Sequence, residues 1–262
     1  MRSILVNADR SPAMDGRLET GLSLARAMGG HVTVQIASAL ARYISIDPMG
    51  GSYLAAEAME QALANDAALA LTLEERLQGQ DVPYDVVRSE FDPMESLELA
   101  SRLADVVVVS RGQGMAGQLA ITAQAPILVV PDGVKDGLGF PLATACIGWD
   151  GGNEAAVALR SAVPILRGCG ETLLLAVTEK PGGFAGLEAL AYLSRHGVKA
   201  ELVELARQGS TQESLARAVR ERRGDLLVMG AYGKSRLREY LFGGVTEHFL
   251  SDPAGPGLLL AH

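Results

Sequence analysis

Residues 1–37 read MRSILVNADRSPAMDGRLETGLSLARAMGGHVTVQIA, and residues 142–178 read LATACIGWDGGNEAAVALRSAVPILRGCGETLLLAVT. The two 37-residue stretches align without a gap at an offset of 141. Each holds an apolar strand ending in aspartate (Asp9, Asp150), a turn and an Ala/Leu-rich helix, then a terminal glycine (Gly29, Gly170) and a second apolar strand. Repetition on this scale defines the folding unit before any local reading does. Further along, DVVVVS (Asp105–Ser110) pairs with DLLVMG (Asp225–Gly230) at an offset of 120, and PILVVP (Pro126–Pro131) with PGLLLA (Pro256–Ala261) at 130. The order is kept while the loops differ. The first copy is longer in its middle, and the second has about ten extra residues between its last two strands.

The chain of 262 residues therefore divides into domains at 1–134 and 142–262, joined by the Gly/Pro-punctuated linker DGVKDGLGFP (Asp132–Pro141). The first copy reads as strands ILVNA, VTVQIA, VPYDVVR, VVVVS and ILVV, with a long helix from Gly51 to Leu77. The second reads as ACIGW, TLLLAV, KAELVEL, LLVMG and GLLLA. Continuous apolar runs alternating with helical patterns indicate a parallel sheet covered on both faces. The expected fold class is α/β, with two tandem doubly wound parallel-sheet domains. Ligands in such sheets bind beyond the carboxyl ends of the strands, at a topological switch point. Asp9, Asp150, Ser110 and Gly230 all stand at such ends.

Composition narrows the partners. Hydrophobic residues make up 48% and charged residues 21%, enough to bury a core. The net charge of −8 argues against a nucleic-acid-binding face, which would be basic. Two cysteines, Cys146 and Cys169, make neither a disulfide framework nor a zinc site, and read as core thiols. No run of 18 apolar residues predicts a membrane span, and MRSILVNADRS has no apolar run of signal-peptide length, so the expected compartment is the cytoplasm.

The chemistry concentrates in VMGAYGKSRLREYLFGGVTEHFL (Val228–Leu250). Gly230 ends a strand, Gly233 follows, then Gly243, Gly244 and a helix starting near Val245. Glycines there allow close approach of a ligand, and free N–H groups at a helix start favour an anion. Lys234, Arg236 and Arg238 make the intervening stretch locally basic.

Gly230-x2-Gly233-x9-Gly243, after an apolar strand and before a helix, resembles the signature of the universal stress protein family, whose nucleotide-binding members carry G-x2-G-x9-G-[S/T]. The whole chain resembles a tandem member, with a first-strand aspartate and a proline-opened last strand (Pro126, Pro256) in both copies. The resemblance implies a Rossmann-like fold of the adenine nucleotide α-hydrolase type. It also implies binding of ATP or AMP, with Mg²⁺ accompanying ATP, and a stress-response role. Carried over by position, Gly230, Gly233, Gly243, Gly244 and Val245 would line ribose and phosphates, with Thr246 and Lys234 as neighbours. Asp150 would reach the ribose and adenine side, and Val177 would offer backbone groups to adenine. Gly244 replaces the family's Ser/Thr. A hydroxyl-to-phosphate hydrogen bond is worth roughly 1.5–3 kcal/mol, so the departure weakens binding by about ten- to a hundredfold. The first copy has SRGQGMAGQLAITAQAP instead, shorter by about ten residues and with Ser110 at the position of Gly230, and no nucleotide is expected there. The family's dimers pair through last-strand edges. An intramolecular pseudo-dimer across PILVV and PGLLL is therefore expected, and a further homodimer is left open.

Other motifs carry less. Gly112-x-Gly114-x-x-Gly117, with Asp132 20 residues after Gly112, mimics a dinucleotide fingerprint but follows the wrong strand of its copy. Gly233–Ser235 resembles the end of a Walker A loop without its first glycine. His31, His196, His248 and His262 are scattered and give no metal pattern. Ser110 has no identifiable triad partners. Trp149 is read either as core or as a base-stacking residue. Ala55, Met59, Leu63, Ala67 and Leu71 form a stripe that packs within the chain or faces a partner. No catalytic base for hydrolysis is evident, so a binding protein is expected, with slow ATPase activity left open. The alternatives are a tandem scaffold that recruits a protein partner or another small ligand without binding nucleotide, and a dinucleotide-dependent enzyme using the first-copy crevice.

Overall fold

The structure is a computed structural model, and it describes residues 1–40, 51–177, 186–233 and 244–262, with the backbone alone for 51–55. Its first half runs β1 (Ser3–Ala8), α1 (Met14–Met28), β2 (His31–Ala37), α2 (Gly51–Leu77), β3 (Tyr84–Ser89), α3 (Pro93–Ala100), β4 (Val106–Ser110), α4 (Ala116–Thr122) and β5 (Ile127–Val130). The second runs β6 (Thr144–Trp149), α5 (Asn153–Leu166), β7 (Glu171–Val177), α6 (Gly186–Arg195), β8 (Glu201–Leu205), α7 (Thr211–Glu221), β9 (Leu226–Gly230), α8 (Gly244–Leu250) and β10 (Gly257–Ala261).

The ten strands among the described residues form one sheet in the order β3-β2-β1-β4-β5-β10-β9-β6-β7-β8. Within each half the pairing is parallel, as the unbroken apolar runs require. The halves join antiparallel, with Leu258 opposite Val129, Leu259 opposite Leu128 and Leu260 opposite Ile127. All six side chains are fully buried. At about 1.5–3 kcal/mol for each such side chain, this seam is a core in its own right. It also leaves neither PILVV nor PGLLL as an open apolar edge.

Alternation along the strands sends side chains to two faces. Ile4 and Val6 belong to one buried layer, with Leu18 and Leu22 of α1, Leu73 and Leu77 of α2, Leu159 of α5 and Leu193 of α6. Leu5 and Val107 face the opposite layer, with Leu97 of α3, Leu119 of α4, Leu215 of α7 and Phe249 of α8. Trp149 and Cys146 are buried, Trp149 on the first face and Cys146 on the second. The linker is docked as well: Leu138 N donates to Thr20 Oγ1 at 2.8 Å and Phe140 N to Ser23 Oγ at 2.7 Å, both on α1.

The gapless alignment of the copies needs one correction. His31 pairs with Ser3, 28 residues before it, whereas Glu171 pairs with Thr144, 27 residues before it. Gly170 is therefore the counterpart of Gly30, not of Gly29. A Cβ on Gly30 would meet Arg2 O at 2.9 Å, and one on Gly170 would meet Ala143 O at 2.8 Å. Gly29 is the left-handed cap of α1 (φ 58°). The second copy closes α5 on Arg167, four residues before β7 where Gly29 is two before β2, in a right-handed conformation. A one-residue slip matters because it would turn every side chain of β7 to the wrong face.

The long-helix stripe also shifts. Ala70, Leu73 and Leu77 of α2 are the buried positions, while Leu63 and Leu71 are exposed. Arg76 pins this end of α2 to α1 through Asp15 and Glu19. Among the described residues no helix is long and apolar enough to cross a membrane.

Candidate functional site

In each half the central strands reverse direction of winding at one gap, β1/β4 in the first and β6/β9 in the second. The crevice beyond those carboxyl ends is where an α/β sheet offers backbone groups to a ligand.

In the second half, Asp150 directly follows β6 and Val177 ends β7, one residue past the Trp149–Ala176 pair, so the two stand side by side at the edge. Asp150 is exposed, and its Oδ1 accepts from Gly152 N at 2.8 Å, closing the turn into α5. Gly230 ends β9 against that helix. A Cβ there would lie 2.6 Å from Ala155 N and 2.6 Å from Glu154 C, so only glycine allows α5 to sit so close to β9. Gly233 faces two carboxylates, its Cβ position being 3.6 Å from Glu154 Oε2 and 4.0 Å from Asp150 Oδ2. Gly244 is the first residue of α8, and its Cβ position is 3.5 Å from Gln212 Nε2 on α7. Val245 is half-buried, and Thr246 is buried.

Asp150, Gly230 and Gly233 are thus brought together, with Val177 beside Asp150. Gly244 to Thr246 stand at the start of α8. Lys234 and Gly243 lie outside the described residues. Glu154 is a site residue that the sequence reading missed. Its signal was its place in the first turn of the helix after the strand-end aspartate.

The same place in the first half is filled. Arg17 of α1 is completely buried, and its Nη2 pairs with Asp9. Its Nη1 donates to Ser110 Oγ at 2.9 Å. Asp9 also accepts from Ser11 N at 2.9 Å, Ser11 Oγ at 2.7 Å and Gln113 Nε2. Asp9 therefore does not cap α1 directly; it is the hub of an internal ion-pair network. Desolvation acts to raise its pKa, but hydrogen bonds from Ser11 and the charge of Arg17 outweigh it and hold the carboxyl below its ordinary value. Burial pushes the Arg17 guanidinium down despite Asp9, and Arg17 Nε has no hydrogen-bond partner. The position of Arg17 falls on Ala158 in the second half, and that of Ser110 on Gly230. One crevice holds a buried cation of the chain's own, and the other holds only Cα and Cβ atoms at those positions.

The dinucleotide-like glycines have separate causes. Gly112 N donates to Asp132 Oδ1 at 3.1 Å, so that aspartate serves the loop itself. Gly114 has φ 69°. Gly117 lies where a Cβ would be 2.4 Å from Tyr232 Oη. A separate groove of about 560 Å³ lies over α3 and α4, lined by Asp92, Met94, Glu95, Glu98, Met115 and Gln118. Among the described residues no group of three or more His, Cys, Asp or Glu could hold a metal ion.

Residues 144–253 match the universal stress protein family. No curated protein matches the chain in sequence. Among solved structures, a universal stress protein from Archaeoglobus fulgidus DSM 4304 has a TM-score of 0.70 at 15% identity, covering 99% of this chain and 96% of its own. A functionally unknown protein of Pseudomonas aeruginosa PAO1 has a TM-score of 0.57 at 14% identity, covering 100% of this chain and 92% of its own. At these identities the likeness is one of fold. Residues 144–253 are thus similar in sequence to the universal stress protein family, and nearly the whole chain shares the fold of a solved universal stress protein.

Proposed function

We propose that the chain binds one adenine nucleotide, ATP or AMP, in the second-half crevice, with a regulatory or stress-response role in the cytoplasm. One observation carries this reading: Arg17 and Ser110 fill the first crevice, while Ala158 and Gly230 stand at the same positions of the second. Asp150 would accept from ribose hydroxyls or the adenine side, and the backbone of Val177 would meet adenine. Gly230 and Gly233, with Gly244, Val245 and Thr246, would follow the phosphates, joined by Lys234 and Gly243 on the sequence pattern. Glu154 and Asp150 beside Gly233 are the wrong charge for a bare phosphate. They favour ATP arriving with Mg²⁺, whose charge they would offset. The two halves act as an intramolecular pseudo-dimer of domains 1–134 and 142–262.

The test is the nucleotide content of freshly purified protein, read by chromatography after denaturation. Nucleotide near one per chain, absent from Gly243→Asp, supports the reading. No nucleotide, and no heat of binding up to millimolar ATP, would leave the fold as a scaffold for a partner or another ligand.

A further inference from the structure

We infer that Gly117, on α4 of the first half, is a positioning residue for the ligand site of the second half, so that Tyr232 and Gly233 are held in place from across the seam. The inference rests on the proposed nucleotide site and adds to it a residue from the other half.

Ala231, Tyr232 and Gly233 lead straight out of β9. Ala231 N donates to Ala261 O at 2.7 Å, and His262 Nδ1 lies 2.8 Å from Ala231 O, so the backbone is fixed on both sides up to this residue. Tyr232 then takes φ 55°, a left-handed conformation that a bulky side chain rarely adopts. Such a residue persists only where its surroundings over-determine it. Gly117 is part of those surroundings. Its missing Cβ would stand 2.4 Å from Tyr232 Oη and 3.6 Å from Tyr232 Cζ. The same absent methyl would lie 3.4 Å from Leu250 Cδ1, at the end of α8. One bare position of α4 thus receives a side chain from just before the loop and another from the helix after it. Seating Tyr232 sets the peptide that leads to Gly233, beside Asp150 and Glu154.

The geometry separates the hydroxyl from the ring. At 2.4 Å a new methyl cannot coexist with Tyr232 Oη, whereas 3.6 Å from Cζ is an ordinary contact. Gly117→Ala should therefore push Tyr232 out of its seat, and adding Tyr232→Phe should let the ring return. Alanine is the better helix former, so a loss in Gly117→Ala does not come from α4 itself.

The experiment compares wild type, Gly117→Ala and Gly117→Ala/Tyr232→Phe in the full chain. It uses calorimetric ATP titration and hydrogen exchange of the Ala231–Gly233 amides without nucleotide. Gly117→Ala should bind ATP about tenfold more weakly, within the range for substitutions acting through a packed neighbour. It should exchange those amides faster, and the double variant should recover both. Unchanged exchange and affinity in Gly117→Ala, or a double variant no better than the single, overturns the inference. Wild type that binds no ATP overturns the nucleotide site instead, and the exchange data still decide whether Gly117 holds the Ala231–Gly233 segment.

Discussion

The Arg17–Asp9 pair separates the two halves, and breaking it from either end has unequal consequences. Asp9→Ala strands a fully buried guanidinium with Ser110 as a remaining acceptor and with Nε already unpaired. Removing one partner of a buried pair costs about 3–5 kcal/mol. The Asp9 end is 36% exposed, so water reaches part of the pair and the lower figure, about 3 kcal/mol, applies. Arg17→Met leaves Asp9 with Ser11, Gln113 and solvent, at about 1–2 kcal/mol. The double variant buries no charge and fills the space with an apolar chain of similar length, at about 1 kcal/mol. The singles sum to roughly 4–5 kcal/mol, so the coupling should be about 3–4 kcal/mol. Urea denaturation at pH 7 followed by far-UV circular dichroism measures each value by linear extrapolation. Asp9→Ala milder than Arg17→Met, or a double variant equal to the sum, would refute the claim that the first crevice is held shut by a buried pair.

The same pair sets an acid response. Asp9 is depressed below its ordinary value of 3.8, so its contribution is present at neutral pH and lost as pH falls through the lowered value. Stability-versus-pH curves should fall more steeply in acid for wild type than for Asp9→Ala/Arg17→Met. Gly230→Ala drives a methyl onto the α5 backbone and should cost about 1–3 kcal/mol in denaturation, with weaker ATP binding; a neutral result would contradict the close approach of α5 to β9. Asp225 Oδ2 accepts from Ala143 N and Thr144 N, both at 2.9 Å, so Asp225→Ala should destabilise by about 1–2 kcal/mol and speed exchange of those amides. Burial pushes Cys146 up to about 12 and Cys169 to about 11, so neither should react with a disulfide reagent at pH 8 until the chain unfolds.

The strands were legible because their apolar runs are unbroken, and the order of the repeat carried the sheet with it. The seam was expected from the family resemblance, whose dimers pair last-strand edges, and it suits β5 and β10, two wholly apolar edges. The slip between Gly29 and Gly170 was not legible, because a glycine one residue before a strand and one two residues before look alike until the register is known. Arg17 was missed for a different reason. An arginine in DGRLETGLSLARAM looks like part of a solvated face, and only the fold places Arg17 on the inward side, opposite Ser110. Glu154 and Tyr232 depend likewise on which strand end meets which helix. Asp150, Gly230 and Gly233 could be read because a glycine pattern and a strand-end aspartate are local features. Their meeting with Glu154 is tertiary.

The claim that one crevice is filled and the other open is tested most directly by the stoichiometry of an ATP–Mg²⁺ titration of the intact chain. The account predicts one site per chain, abolished by Gly243→Asp and unaffected in number by Arg17→Met. Two sites in wild type would contradict the filled first crevice, and saturable binding that survives Gly243→Asp would contradict the second as the nucleotide site.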